Sequence, residues 1–472
     1  MANIKDLRNE IIELVETKNV VALRELAEST PSIDFAEACN EIDDLQILLF
    51  VFKTVPSEYT AEVYTELSSN QQNHLIEFLT DKQVLELIEN TYTDDIVDFL
   101  EDMPANLVNK VLKNADKQTR QDINSLLNYR QDTAGSIMAT EYIRVRPEST
   151  VKESLDYIKK VGEDAVTIYD IFVVDHFRNL IGVIDLKTLL LSDESQVIND
   201  LLTTNFISVN VYADQEEVAH LFKRYDKSTM AVLNNDQKMI GVITVDDIID
   251  VITEEQTEDI AKMAAVKPIE KSYRETNVVS LFKSAAPWLL SLIVFSVFTS
   301  LIINSFEAEI AKVIVMSSFI PFLLDSAGNA GSQGAAMVIR SLALKEYDKG
   351  EYKKIVVKEL LVGLLLAVTV GVFTFFFINL EFIIGIVKVD TIGGATFAKW
   401  SADWWFAVLK VSAIVGTTAF ISTAVARLLG ALLPLTAKLI KRDPALMANP
   451  LLTTIADITT LVIYFLLIIW LF

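Results

Sequence analysis

Cysteine is nearly absent from this 472-residue chain: Cys39 stands alone, so no disulfide can close within one molecule, which fits a reducing compartment. Histidine is almost as scarce. His74, His176 and His220 lie far apart, without the spacing of a metal centre. A G-x-x-x-x-G-K-S/T phosphate loop is missing as well, which removes the usual motor of an ATP-driven pump. Without a recognisable pairing of nucleophile and base, an enzyme is the least favoured class. No secretory signal is read in the polar N-terminus, so the first half is expected in the cytoplasm.

Basic charge is short through most of the chain. From Lys283 to Phe472 there are 15 Lys/Arg against 12 Asp/Glu, which leaves 26 basic and 52 acidic residues for the rest. A polyanion of that kind argues against nucleic acid and for a cationic partner such as a metal ion, although an acidic domain can also be merely soluble.

What is abundant is apolar length. Five segments, about 286–305, 311–344, 355–386, 403–439 and 446–471, match or exceed the roughly 20 residues a membrane helix needs. Lys345, Lys349, Lys353, Lys354 and Lys358 fall between the second and third, and Lys438, Lys441 and Arg442 between the fourth and fifth. The other two loops hold only Lys312, and Lys388 with Lys399. Basic loops stay inside, which puts the N-terminus in the cytoplasm and the C-terminus outside.

Two of these segments carry polar residues that lipid would not tolerate without a reason. The second is interrupted by DSAGNAGSQG, Asp325 to Gly334, and the last opens with Asn449, Thr453, Thr454, Asp457 and Thr459. Polar groups at that depth mark a pathway or a packed interface. A carboxylate in each of two spans suggests that a cation crosses. Gly328, Gly331 and Gly334 suit close helix packing as well as they suit exposed carbonyls.

Residues 4 to about 130 show helical periodicity, for example Leu7, Ile11, Leu14 and Val15. Phe52-x-x-Val55-Pro56 echoes Leu100-x-x-Met103-Pro104, which predicts stacked helix pairs with prolines at helix starts, or a plain bundle with two similar turns. From Thr133 to about Ile252 the pattern turns to short strands alternating with helices, in two copies. One has TVKESLDYI at Thr150, IFVVD at Ile171 and LIGVIDLKTLL at Leu180; the other has DQEEVAHLF at Asp214, MAVLN at Met230 and MIGVITVDDII at Met239. This order resembles a CBS-domain pair, a regulatory module that often binds adenine nucleotides. Gly182 and Gly241 are expected in tight turns between strands, and Asp185 and Asp246 where a helix begins.

The whole order resembles the MgtE family of magnesium channels and transporters. It is carried by Asp132-Thr133-Ala134-Gly135, Thr244-Val245-Asp246-Asp247, Glu255-Gln256-Thr257-Glu258-Asp259-Ile260, Gly328-Asn329-x-Gly331-x-Gln333, and Asp443-Pro444-Ala445 followed by Asn449-Pro450 and Asp457. The resemblance implies a multidomain α and α/β chain: a superhelix-like helical N-domain (1–131), tandem CBS domains (132–252), a connecting plug helix (253–284) and a membrane domain of five helices (285–472). It further implies a homodimer in the cell membrane with a pore on its axis, where Asp457, Asn449, Asn329 and Ser332 would handle Mg²⁺. Such an ion keeps much of its water and prefers oxygen ligands.

Seven acids between Asp246 and Asp259, with no Lys or Arg among them, supply the regulatory candidate. Asp246, Asp250, Glu254 and Glu258 recur at i+4, where like charges destabilise a helix by about 0.2–0.5 kcal/mol each. A solvated acidic face is the plain alternative. By resemblance, cytosolic Mg²⁺ would bind among Asp214, Glu216, Asp226, Asp246, Asp247, Asp250, Glu254, Glu255, Glu258, Asp259 and Asp443 and close the pore. Lys227 and Ala231 replace an aromatic and a proline frequent in nucleotide-binding relatives, so ATP is not counted on. The rival functions are a CBS-regulated transporter of Mn²⁺ or Co²⁺ and a non-conducting Mg²⁺ sensor.

Overall fold

Proline spacing organises the first helices of the computed structural model, which describes residues 4–471 apart from 102, 270–272, 274–275, 348, 388–390, 393–394, 397 and 448, and apart from the side chains at 309, 312, 349, 391–392, 395–396, 447 and 449–450. The chain forms two compact units, Met1–Thr253 and Glu254–Phe472.

In the first unit α1 (Ile4–Glu16), α2 (Val20–Ser29), α3 (Ser32–Asn40), α4 (Leu45–Thr54) and α5 (Ser57–Thr65) are followed by α6 (Ser69–Phe78), α7 (Asp81–Glu89), α8 (Thr93–Glu101), α9 (Ala105–Asn114) and α10 (Lys117–Leu126). Pro31, Pro56 and Pro104 cap α3, α5 and α9. Each proline keeps the residue before it extended, as at Val55 (ψ 148°), so one helix stops where the next starts. Odd helices touch in succession from α1 to α9, while α2 packs on α4 and α4 on α6. Two rows with a shared seam result, and Ile11, Leu23 and Phe35 are fully buried in it. Burying each contributes about 1.5–3 kcal/mol.

The two copies that follow are superimposable in order. The first has β1 (Tyr142–Val145), α11 (Val151–Val161), β2 (Thr167–Val174), β3 (Leu180–Asp185) and α12 (Leu186–Leu191). The second has β4 (Ser208–Asn210), α13 (Gln215–Tyr225), β5 (Thr229–Leu233), β6 (Met239–Thr244) and α14 (Val245–Met263). In each sheet the first strand runs parallel to the second and the third antiparallel to it. Thr150 with Glu153 forms a capping box on α11, and Asp185 caps α12, accepting from Thr188 N at 2.6 Å.

Gly182 and Gly241 are not turn residues. Both lie inside strands, opposite Val173 and Val232. They are needed because another backbone passes over them: a Cβ on Gly182 would lie 3.0 Å from Thr203 O, and one on Gly241 2.8 Å from Ala139 O. Ala139 pairs with Val242 and Thr203 with Val183, so the entry segment of each copy pairs with the last strand of the other.

The second unit begins within α14, which ends at Met263, and the next helix among the described residues is α15 (Val278–Ser305). The acid-bearing helix opens at Val245, beside Asp246 as the sequence predicts, so it begins inside the stretch assigned to the tandem domains (132–252). Short α16 (Glu307–Lys312) and a 3-10 turn at Ile314–Phe319 lead into α17 (Ile320–Ala343). Then come α18 (Tyr352–Ile384), α19 (Ala402–Leu439) and α20 (Asn449–Leu471). Among the described residues four helices are long and apolar enough to cross a membrane: α15, α18, α19 and Leu451–Leu471 of α20. The fifth expected span, α17, has the length, about 36 Å at 1.5 Å per residue, but its polar centre removes it from an apolarity count.

Candidate functional site

α17 has two unlike faces. Its glycines point inward: Gly328 abuts Thr453 of α20, and Gly331 lies against Leu452 of α20 and Ala426 O of α19. The tightest crossing is at Gly430, where a Cβ would stand 2.3 Å from Gly331 O. Close packing, the plainer of the two roles considered for this motif, is what these glycines perform. Asp325, Asn329 and Gln333 are exposed on the other face, and Ser332 is half-buried. Asp457 is half-buried on α20, one residue after Ala456, which is buried with Ala327 of α17 and Ala426. Asp457 and the Asn329 helix thus stand side by side. Asn449 begins α20, and its side chain lies outside the described residues.

The connecting acids divide into two groups. In the first unit Asp246, Asp247 and Asp250, on the opening turns of α14, face acids the sequence reading did not single out: Asp94 and Asp95 of α8, and Glu66 after α5. Burial, then Asp247 and Asp95, holds the Asp94 carboxyl well above its ordinary range. Burial, then the charges of Asp247, Glu66, Asp246 and Glu141, pushes Asp95 up to about 6. Asp247 also rises to about 6, chiefly through burial, although it accepts from Thr244 N at 3.2 Å and Thr244 Oγ1 at 2.6 Å. Glu141, raised by burial, accepts from Thr93 Oγ1 at 2.8 Å and Thr140 N at 3.0 Å. The one local signal was the Thr93-Asp94-Asp95 helix start, a common capping pattern that gives no hint of what it faces.

In the second unit, Lys262 Nζ stands 2.6 Å from both Glu258 Oε2 and Asp443 Oδ2. Burial would depress the lysine, but the two carboxylates lift it to about 12. Glu254, Glu255 and Asp259 share this part of α14. Asp214, Glu216 and Asp226 are not gathered with one another: Asp214 caps α13, accepting from Glu216 N at 3.0 Å, while Asp226 closes the far end in a left-handed conformation (φ 47°). Among the described residues no three acidic, histidine or cysteine side chains form a ready metal cage.

Residues 320–467 match the family model described as MgtE, divalent cation transporter; residues 30–132 match the MgtE intracellular N domain, and 134–194 and 198–254 the CBS domain. The magnesium transporter MgtE of Thermus thermophilus is 32% identical over 456 residues, covering 96% of this chain and 95% of that protein. Its namesake in Bacillus subtilis is 28% identical over 442 residues, covering 90% and 91%. Among solved structures, a crystal structure of the soluble part of a magnesium transporter is 27% identical with a TM-score of 0.50, covering 54% of this chain and 99% of that one.

Proposed function

The chain belongs to the MgtE family of divalent cation transporters, and we propose that it conducts Mg²⁺ into the cell along a path lined by α17 and α20 at the axis of a homodimer. One observation carries this reading: a helix of membrane length turns its glycines inward, leaves Asp325, Asn329 and Gln333 exposed, and packs against the helix that bears Asp457. Left in lipid, an acid at mid-membrane costs about 2.5–3.5 kcal/mol on insertion scales, so this face needs water or a second copy against it. A two-fold axis supplies both. Two Asp457 carboxylates would balance the charge of one Mg²⁺, while Asn329, Ser332 and Asn449 offer neutral oxygens to an ion that surrenders its water reluctantly. The basic loops support a cytoplasmic location for the acidic N-terminal half.

The raised carboxyls support regulation by cytosolic Mg²⁺. Asp94, Asp95, Asp246, Asp247 and Asp250 repel one another in the first unit, and a bound cation relieves that repulsion. Uptake into proteoliposomes by Asp457→Asn tests the pathway. Flux should fall to background while the protein remains folded and dimeric; parental flux through a well-folded Asp457→Asn protein would remove Asp457 from the pathway.

A further inference from the structure

One buried charge in the membrane half has no part in the pathway or in the acids. Arg427 of α19 donates from Nε to Glu359 Oε2 of α18 across 2.7 Å, with the two side chains only 7% and 10% exposed. Such a pair recovers little of the desolvation it requires, and an apolar pair of equal volume often packs as well. Cohesion of the helices is therefore a weak explanation for it.

Its surroundings give a better one. Glu359 and Gly363 lie one turn apart on the same face of α18, and the Arg427 stem crosses Gly363 on its way to Glu359. A Cβ on Gly363 would sit 3.1 Å from Arg427 Cβ and 3.2 Å from Cγ. On its other side the same side chain meets α17: a Cβ on Gly334 would lie 3.1 Å from Arg427 Cδ and 3.3 Å from Nε. A single side chain thus fills the junction of three helices, and both neighbours are glycine where it passes. Asn329 and Ser332 sit within about a turn and a half of Gly334 on α17.

We infer that Arg427, oriented by Glu359, is a positioning residue that sets where α17 stands and thereby tunes which divalent cation the pathway accepts. This rests on the reading of α17 as a pathway wall. The planar guanidinium holds a defined angle to the carboxylate, which a lysine ammonium does not reproduce. Removing both charges should leave a foldable core but let the α17 wall settle elsewhere.

The discriminating measurement is the ratio of Mg²⁺ to Mn²⁺ uptake in proteoliposomes, for the full chain, for Glu359→Leu/Arg427→Met together and for Arg427→Lys. A loss of active molecules scales both fluxes equally, so only a displaced wall moves the ratio. Since misplacement on the order of 1 Å costs up to ~10²-fold in a positioned site, a shift of about tenfold is expected in the double variant. A smaller shift is expected in Arg427→Lys. Parental ratios in both variants overturn the inference; if the double variant does not fold, the ratio for Arg427→Lys decides alone. Asp457→Asn measured in parallel separates the two ideas: undiminished flux there defeats the pathway itself, whereas lost flux there with parental ratios here defeats only the role of Arg427.

Discussion

Lys262 donates to Asp443 across 2.6 Å and so ties the end of α14 to the turn before α20. The same ammonium reaches Glu258, and a built-in cation therefore sits between two of the acids expected to meet Mg²⁺. The tie is fully present below the ordinary lysine pKa and is lost only as pH rises through about 12.

Lys262→Gln should lower the thermal midpoint of the Mg²⁺-free protein by the equivalent of about 1 kcal/mol, a figure reduced for the partial exposure of Glu258. Added Mg²⁺ should then stabilise the variant more than the parent, because two carboxylates have lost their counter-charge. Melting curves across a Mg²⁺ series check this; equal Mg²⁺ increments in both proteins would mean that the lysine is a bystander.

Asp95 and Asp247 fix the sign of the pH dependence. Their folded-state pKa values, each about 6, lie above the ordinary carboxylate value, so both groups destabilise the fold as pH rises from about 4 and do so fully above about 6. Mg²⁺ should consequently stabilise the protein more at about pH 7 than at about pH 5, where protons have already neutralised the cluster. Asp95→Asn/Asp247→Asn should flatten that difference, which melting at the two pH values would reveal.

Gly430→Ala should separate α17 from α19. Its Cβ would fall 2.3 Å from Gly331 O and 3.1 Å from Ala335 N, both backbone atoms that cannot rotate away. Overpacking of this kind costs about 1–3 kcal/mol. A lowered midpoint in detergent with weakened Mg²⁺ uptake is expected, and a variant indistinguishable from the parent in both would refute the crossing.

Topology can be read by thiol labelling in intact cells. Cys39 is buried and its thiol is pushed up to about 12, so it should stay silent without being replaced. Cysteines introduced at Lys353 and Lys441 should resist an impermeant reagent added outside, while one at Lys399 should react. The reverse pattern would turn the protein over in the membrane.

Local patterns were the legible part of this sequence. Pro56 and Pro104 mark helix starts because proline acts on its own neighbours, while the strand at Ile171 announces itself through a β-branched run and that at Met230 through a short apolar one. Gly182 and Gly241 were misread as turns because the segments that crowd them, at Thr203 and Ala139, are not adjacent in sequence. The same blindness hid Asp94 and Asp95, whose carboxyls acquire meaning only when α8 meets α14. Glu359 looks like an ordinary charge beside a basic loop and Arg427 like a lone charge inside an apolar helix, and only packing makes them partners. α17 was recognised through its polar interruption, the same feature that keeps it out of a count based on apolarity.

The exchange of entry segments between the two repeats also bears on how the molecule is made. Ala139 must wait for Val242, about 100 residues later, which at roughly 5–20 residues per second is on the order of 5–20 seconds of translation. From the completion of β3 at Asp185 onward the first repeat has its own strands but Ala139 still lacks its partner strand. A pause or truncation before β6 would leave an open edge on each half, and such edges invite pairing with another nascent chain. In this protein the last strand of the soluble half is the step that ends that hazard, and it is synthesised just ahead of the first membrane helix.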